Sequence, residues 1–296
     1  MNKHLLLAFM VSILLAGSCQ GQKPHERTYF KKYWYAGKAE INSFTLDQSR
    51  YGQQRSGKAV LIFVTEDFSR SKQVKLDNSN KNPGDKVSVL KLNFTKNFIT
   101  GIYPYAMMQS TFTPVDRSAL PNSLKTTVTS QEWCGQVFAQ INLKGNQFDV
   151  KSYSYFEQEG DKQFLIEKTL LEDEVWNIIR LDYTTLPTGN IKLIPGLFFT
   201  RLNHVELKSA EAHATLSEEK YTISYTLVLP TLKRKLSIHF QKEFPHKILG
   251  WQEEFEDHGK NQVTKASLDK TLFTDYWTKN RNEFQYLRDS LNLSND

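Results

Sequence analysis

The chain has 296 residues, of which 39% are hydrophobic and 12% aromatic, and it carries a formal charge of +6. That composition excludes both a disordered chain and a membrane-spanning bundle, and the wealth of Phe and Tyr favours strands. Basic and acidic residues are interleaved over most of the length, the pattern of a solvated surface.

Met1 to Cys19, MNKHLLLAFMVSILLAGSC, has the layout of a bacterial lipoprotein signal. Lys3 and His4 make a cationic start, Leu5 to Leu15 an apolar run of signal length, and Ala16-Gly17-Ser18 a small-residue approach to Cys19. A transmembrane anchor needs roughly 20 apolar residues, more than this run supplies. The expectation is that Cys19 is acylated and becomes the first mature residue, although Ala16 stands where Leu is usual. A cell-envelope address of that kind removes nucleic acid as a partner.

Gln20 to Arg27 is polar, contains Pro24 and reads as a tether that extends to Lys32, with one β-rich domain from Tyr33 to the end. Within it Lys23, Arg27, Lys31 and Lys32 would each gain about 1 kcal/mol beside anionic lipid. Tyr33 to Leu46 then alternates as a first strand, Asp47 to Gly57 reads as a turn region, and Lys58 to Val64, apolar on consecutive positions, as a central strand covered on both faces. Gly52 to Lys58 matches the spacing of a phosphate-binding loop. Ala59 stands where a magnesium-holding Ser or Thr is needed, however, and the segment runs into a strand, so Gly52 and Gly57 are assigned to turns.

Asn78 to Asp85 is a loop by its Asn, Pro and Gly content. From Lys86 to Phe98 the alternation changes phase between Val89 and Leu90, which suggests a β-bulge. Gly101 to Pro121 reads as an irregular segment whose aromatics and methionines cap a core or line an apolar pocket. Val137 to Leu143 and Phe148 onward alternate on either side of Gly145-Asn146, and Gly160-Asp161 supplies a further turn, which together make an antiparallel meander. Cys134 is left alone once Cys19 carries lipid; no His lies nearby to activate it, and it is expected as a small buried hydrophobe.

Between Thr169 and Leu181 the period becomes helical, with Glu172-Asp173-Glu174 in the first turn. These three carboxylates are expected in solvent, since neighbours on a helix point in different directions. Strands follow at Ile191 to Ile194, Phe198 to Leu207, Tyr221 to Leu229, Leu236 to Phe240 and Trp251 to Phe255, and Asp275 to Leu291 has the spacing of an amphipathic closing helix. Neither the scattered histidines nor the acidic run Glu253 to His258 has the spacing of a metal site. No catalytic or cofactor-binding motif is present in the sequence.

The lipidation segment together with Tyr33 to Glu40, Val64 to Phe68, Gly101 to Tyr105 and Asp275 to Trp277 resembles a group of uncharacterised Bacteroidota lipoproteins, over the whole chain. Some members carry the label "septum formation inhibitor Maf"; the S-x-S-P-R-R-like segment of Maf pyrophosphatases is absent here, and no catalytic residue carries over. In surface-displayed lipoproteins of that phylum an acidic patch commonly follows the lipidated cysteine, so Gln20-Gly21-Gln22-Lys23 implies a periplasm-facing protein. The expected fold is mainly β, a curved antiparallel sheet or open half-barrel with an internal helix and a C-terminal helix. In outline it resembles the open-barrel lipoprotein carriers. The expected function is non-catalytic, the binding of an apolar or lipid-like ligand or of an envelope protein partner. An envelope hydrolase or a septum-formation role is the alternative.

Overall fold

The computed structural model describes residues 24–293; Met1 to Cys19, and so the lipidation site, lie outside the described residues. Among the described residues, fifteen strands form one sheet. They are β1 (Ala39–Arg50), β2 (Gln53–Ser69), β3 (Lys86–Thr100), β4 (Tyr103–Pro114), β5 (Lys125–Glu132), β6 (Gly135–Lys144), β7 (Gln147–Ser154), β8 (Lys162–Glu167), β9 (Leu170–Leu171), β10 (Gly189–Ile194), β11 (Ala210–Glu218), β12 (Thr222–Leu229), β13 (Arg234–Gln241), β14 (Ile248–Asp257) and β15 (Lys260–Thr274). Four helices accompany them: α1 (Pro24–Trp34), α2 (Glu172–Asp182), α3 (Leu197–Leu202) and α4 (Tyr286–Ser290).

The spatial order is β8 to β1, then β15 down to β9, antiparallel throughout except for the parallel pair β9 and β10. The two edge strands are consecutive in the chain, joined only by Lys168 and Thr169. A sheet whose edges are two residues apart has to curl round on itself, and the result is a curved, barrel-like sheet with one unpaired seam. Lys192 on β10 reaches across that seam to Glu167 on β8 at 2.7 Å.

The concave face holds the main core, and α2 runs through it. Phe44, Leu46, Leu61, Phe63, Leu92 and Phe94 come from one half of the sheet and Tyr225, Leu227, Ile238, Phe240 and Trp251 from the other, all packed with Val175, Trp176, Ile178 and Ile179 of the helix. Trp176, Trp251 and Phe94 meet pairwise with ring centroids 5.2 to 5.4 Å apart in edge-to-face contacts, which favour aromatic pairing beyond the area buried.

The run Lys58 to Val64 is indeed covered on both faces. Ala59, Leu61 and Phe63 point into the core, while Val60, Ile62 and Val64 lie beneath the C-terminal segment with Ile41, Tyr276 and Leu291. The segment does this as a strap. Two 3-10 turns and the five-residue α4 take the place of the long closing helix as the segment crosses the outer face from the end of β15.

Other local expectations are corrected in the same way. Residues 24–34 form α1 rather than a tether, and its Tyr33 and Trp34 pack into the fold, so the folded part begins ahead of Tyr33. The hairpin of β1 and β2 turns at Tyr51 and Gly52 alone, both in the left-handed region; Gly57 lies within β2, where a Cβ would strike the Asn97 carbonyl of β3. Strand β3 pairs in unbroken register on both sides. The phase change at Val89 arises because Phe68, Leu124 and Phe112 form a small second core outside the sheet. Gly101 to Pro121 contains a full strand, β4, with Pro104 and Pro114 near its ends where a missing N–H is tolerated. Residues 198–202 belong to α3, whose first amide, Leu197 N, donates to the Asp173 carboxylate.

Candidate functional site

Helix α2 is amphipathic by sequence yet buried all round, so each of its polar side chains has to find a partner on the wall. Arg180 donates through both terminal nitrogens to Glu40 of β1 at 2.6 Å each and through Nε to the Pro245 carbonyl at 2.8 Å. Glu40 also accepts from Asn42 at 2.6 Å and from the Tyr33 hydroxyl. Burial raises the Glu40 pKa, but Arg180 overcomes this and holds it at about 2. Asn177 donates to the Thr113 hydroxyl at 2.8 Å and to the Leu90 carbonyl at 3.1 Å.

The first-turn carboxylates, expected in solvent, are buried as well. Glu172 pairs with both terminal nitrogens of Arg234 at 2.5 and 2.7 Å, and Arg234 in turn pairs with Glu253 at 2.6 Å. Glu174 accepts from the backbone of Ser123 and Leu171, and burial pushes its pKa up. Asp173 is pushed up to about 8, first by burial and then by the neighbouring Glu172 charge. Lys96 completes the cluster from β3, 3% exposed and set over the Phe94 and Phe198 rings; burial lowers its pKa.

Converging acids and bases of this sort are what a hydrolase would need. The space they surround is about 30 Å³, room for one or two water molecules and for no polymer or nucleotide. Their ion pairs fix α2 inside the sheet, and the barrel axis is filled by the protein's own helix.

Open volume lies instead at the seam. A cavity of about 730 Å³ separates the inner faces of β5 to β8 from α3 and the chain that follows it. Val128, Val137, Ala139, Phe164, Leu197 and Leu207 give it apolar walls, and Glu157, Glu159, Lys162, Arg201 and His204 a charged mouth. At that mouth Glu159, on the β7–β8 hairpin, accepts from Arg201 Nη1 at 2.7 and 2.8 Å and from the Ser154 hydroxyl at 2.5 Å, and it meets His204 Nδ1 at 2.7 Å. Burial raises the Glu159 carboxyl, and the Ser154 and His204 hydrogen bonds with the Arg201 charge bring it below its usual range. Phe156 backs both Arg201 and His204, with the guanidinium carbon 4.6 Å from its ring centroid and the His204 ring 5.2 Å away.

A second cleft of about 870 Å³ lies between α1 and residues 115–121. Its wall mixes apolar Phe30, Val115 and Leu181 with charged Lys31, Asp116 and Arg117, a more polar lining than that of the seam cavity. Exposed large side chains, Tyr51, Ile102, Trp133 and Tyr155, stand on four successive hairpin tips at the same end of the sheet as α3.

The residues singled out by sequence separate on folding. Cys134 is exposed in the β5–β6 turn, not buried, because the two-residue turn leaves its side chain no neighbour to pack on; a Glu132 hydrogen bond raises its thiol pKa. The acidic run on β14 divides among Arg234, Lys235 and Lys233, which take Glu253, Glu254 and Glu256 respectively. Lys96, Arg201 and Arg234 carried no local signal, since each acquires its role from residues far away in the chain.

No family model and no curated protein matches this chain. Among solved structures it is similar to a beta-barrel-like protein of a domain of unknown function, DUF1849, from Brucella abortus. The likeness covers 80% of this chain and 98% of that one, at 9% identity and a TM-score of 0.45.

Proposed function

We propose that this protein is a lipid-anchored binding protein of the cell envelope that holds an apolar, lipid-like ligand in the seam cavity. The cavity carries the proposal: its volume falls in the range of about 300 to 1,000 Å³ usual for small-molecule sites, and it pairs apolar walls with a few convergent polar groups. The exposed apolar tips at that end support it further, as a surface across which such a ligand would be exchanged. Anchoring through Cys19 and a periplasm-facing address rest on the sequence of residues 1–23.

The ligand is sought by solvent extraction and native mass spectrometry of the purified protein. A co-purifying amphiphile at near-unit stoichiometry is the expected result. A protein that carries none and takes up none of a panel of fatty acids, lysolipids and neutral lipids would refute the proposal. For the anchor, Cys19→Ala should abolish palmitate labelling and membrane fractionation, and retention in the membrane would contradict it.

A further inference from the structure

The seam cavity has apolar walls, but its mouth is built around an acid that the protein supplies itself. Glu159 lies in the loop between β7 and β8, residues 155–161, outside the paired strands, so turning its side chain outward breaks no ladder bonds. What it contacts on the other side is firmer: Arg201 belongs to α3, its side chain is 10% exposed, and its guanidinium is stacked on Phe156. Both contacts from Arg201 to Glu159 leave from the single atom Nη1. Among the described residues Nη2 and Nε donate to no protein acceptor, so the fork that would grip a planar acid through two parallel bonds is not used by Glu159.

We propose that the seam cavity selects an amphiphile with an anionic head, a carboxylate or a phosphate, and that the Glu159 carboxylate marks the seat this head takes on Arg201 and His204. The inference rests on the assignment of the seam cavity as the ligand site. When the ligand enters, the Glu159 side chain turns outward from its loop, the ligand's acid takes both edges of the guanidinium, and the chain lies along Val137, Ala139 and Phe164. The exchange of one acid for another keeps the buried cation paired throughout, which avoids the cost of an isolated buried charge.

Three probes with the same eighteen-carbon chain class separate the outcomes when titrated against the full chain: oleate, monooleoyl lysophosphatidic acid and oleyl alcohol. The expected result is about tenfold or tighter binding of at least one acid over the alcohol, the size of one charge-assisted hydrogen-bond pair. Whichever acid binds tighter identifies the head. Arg201→Met should bring the acid down to the level of the alcohol measured on the same variant, and Glu159→Gln, in the loop between β7 and β8, should widen the acid's advantage over the alcohol. Equal binding of acid and alcohol by the native chain, or an unchanged preference for the acid in both variants, would overturn anion selection while leaving the cavity assignment in place. Failure of all three probes to bind would overturn both.

Discussion

Replacing Arg180 with Met tests whether α2 is held in the barrel by its ion pairs. Arg180 and Glu40 have fully buried side chains joined by two hydrogen bonds of 2.6 Å, and the guanidinium also stacks on Phe63 and Trp34 at 4.6 and 5.1 Å from the ring centroids. Methionine would fill much of the space but leave the Glu40 carboxylate with only Asn42 and Tyr33. Stranding one partner of a buried pair costs about 3–5 kcal/mol, against a net worth for the intact pair that is far smaller. Adding Glu40→Gln to Arg180→Met removes the stranded charge and should therefore recover about 1–3 kcal/mol, so the double variant is more stable than the single.

The pH dependence carries the same signature. In the native chain Glu40 has a pKa of about 2, below its unfolded value, so its contribution is complete above the unfolded value near 4.5 and is lost as pH falls through about 2. Without Arg180, burial is left to dominate, and the penalty should instead be relieved as the pH is lowered. Urea denaturation with an unchanged m-value measures each step. A loss of less than about 1 kcal/mol in Arg180→Met, or a double variant that is weaker still, would refute the assignment.

Two further outcomes follow from the buried and exposed extremes. Asp173, held at about 8 against 3.8 unfolded, binds a proton in the native state that the unfolded chain has released. Stability therefore falls with a slope of up to about 1.4 kcal/mol per pH unit from this carboxyl as pH rises between those values. Asp173→Asn should flatten that part of the stability profile, and a profile identical to the native one would count against the protonated carboxyl. Cys134 should react with a maleimide in the folded protein, slowly because Glu132 raises its thiol, and faster in Glu132→Gln; labelling only after denaturation would contradict its exposed position.

The parts of the fold that were legible in the sequence are those set by neighbours in the chain. Val137 to Val150, with Gly145 at a positive φ between them, announces its hairpin because alternation and turn chemistry are both local. The helical period of α2 is equally plain. Its environment is not, since the acceptors and donors that permit Glu172 and Arg180 to be buried are Arg234 and Glu40, 62 and 140 residues away. Aromatic residues misled at α3, where Phe198 and Phe199 favour a strand by propensity but the Asp173 carboxylate receives the first amide of a helix. The seam cavity had no sequence signature at all. It exists because the chain joins the two sheet edges through two residues, and Glu159 and Arg201 meet there only after the sheet has curled.

The cavity at the seam is the centre of this account, and filling it is the most direct test. Ala139 lies on its wall, part of β6 and 8% exposed, so Ala139→Trp would place an indole in the space assigned to the ligand. Affinity for a fluorescent fatty-acid probe would be measured alongside urea stability. Loss of probe binding with stability within about 1–3 kcal/mol of the native chain, the usual range for an oversized substitution, is the predicted result. Undiminished binding in a folded Ala139→Trp protein would show that the ligand sits elsewhere.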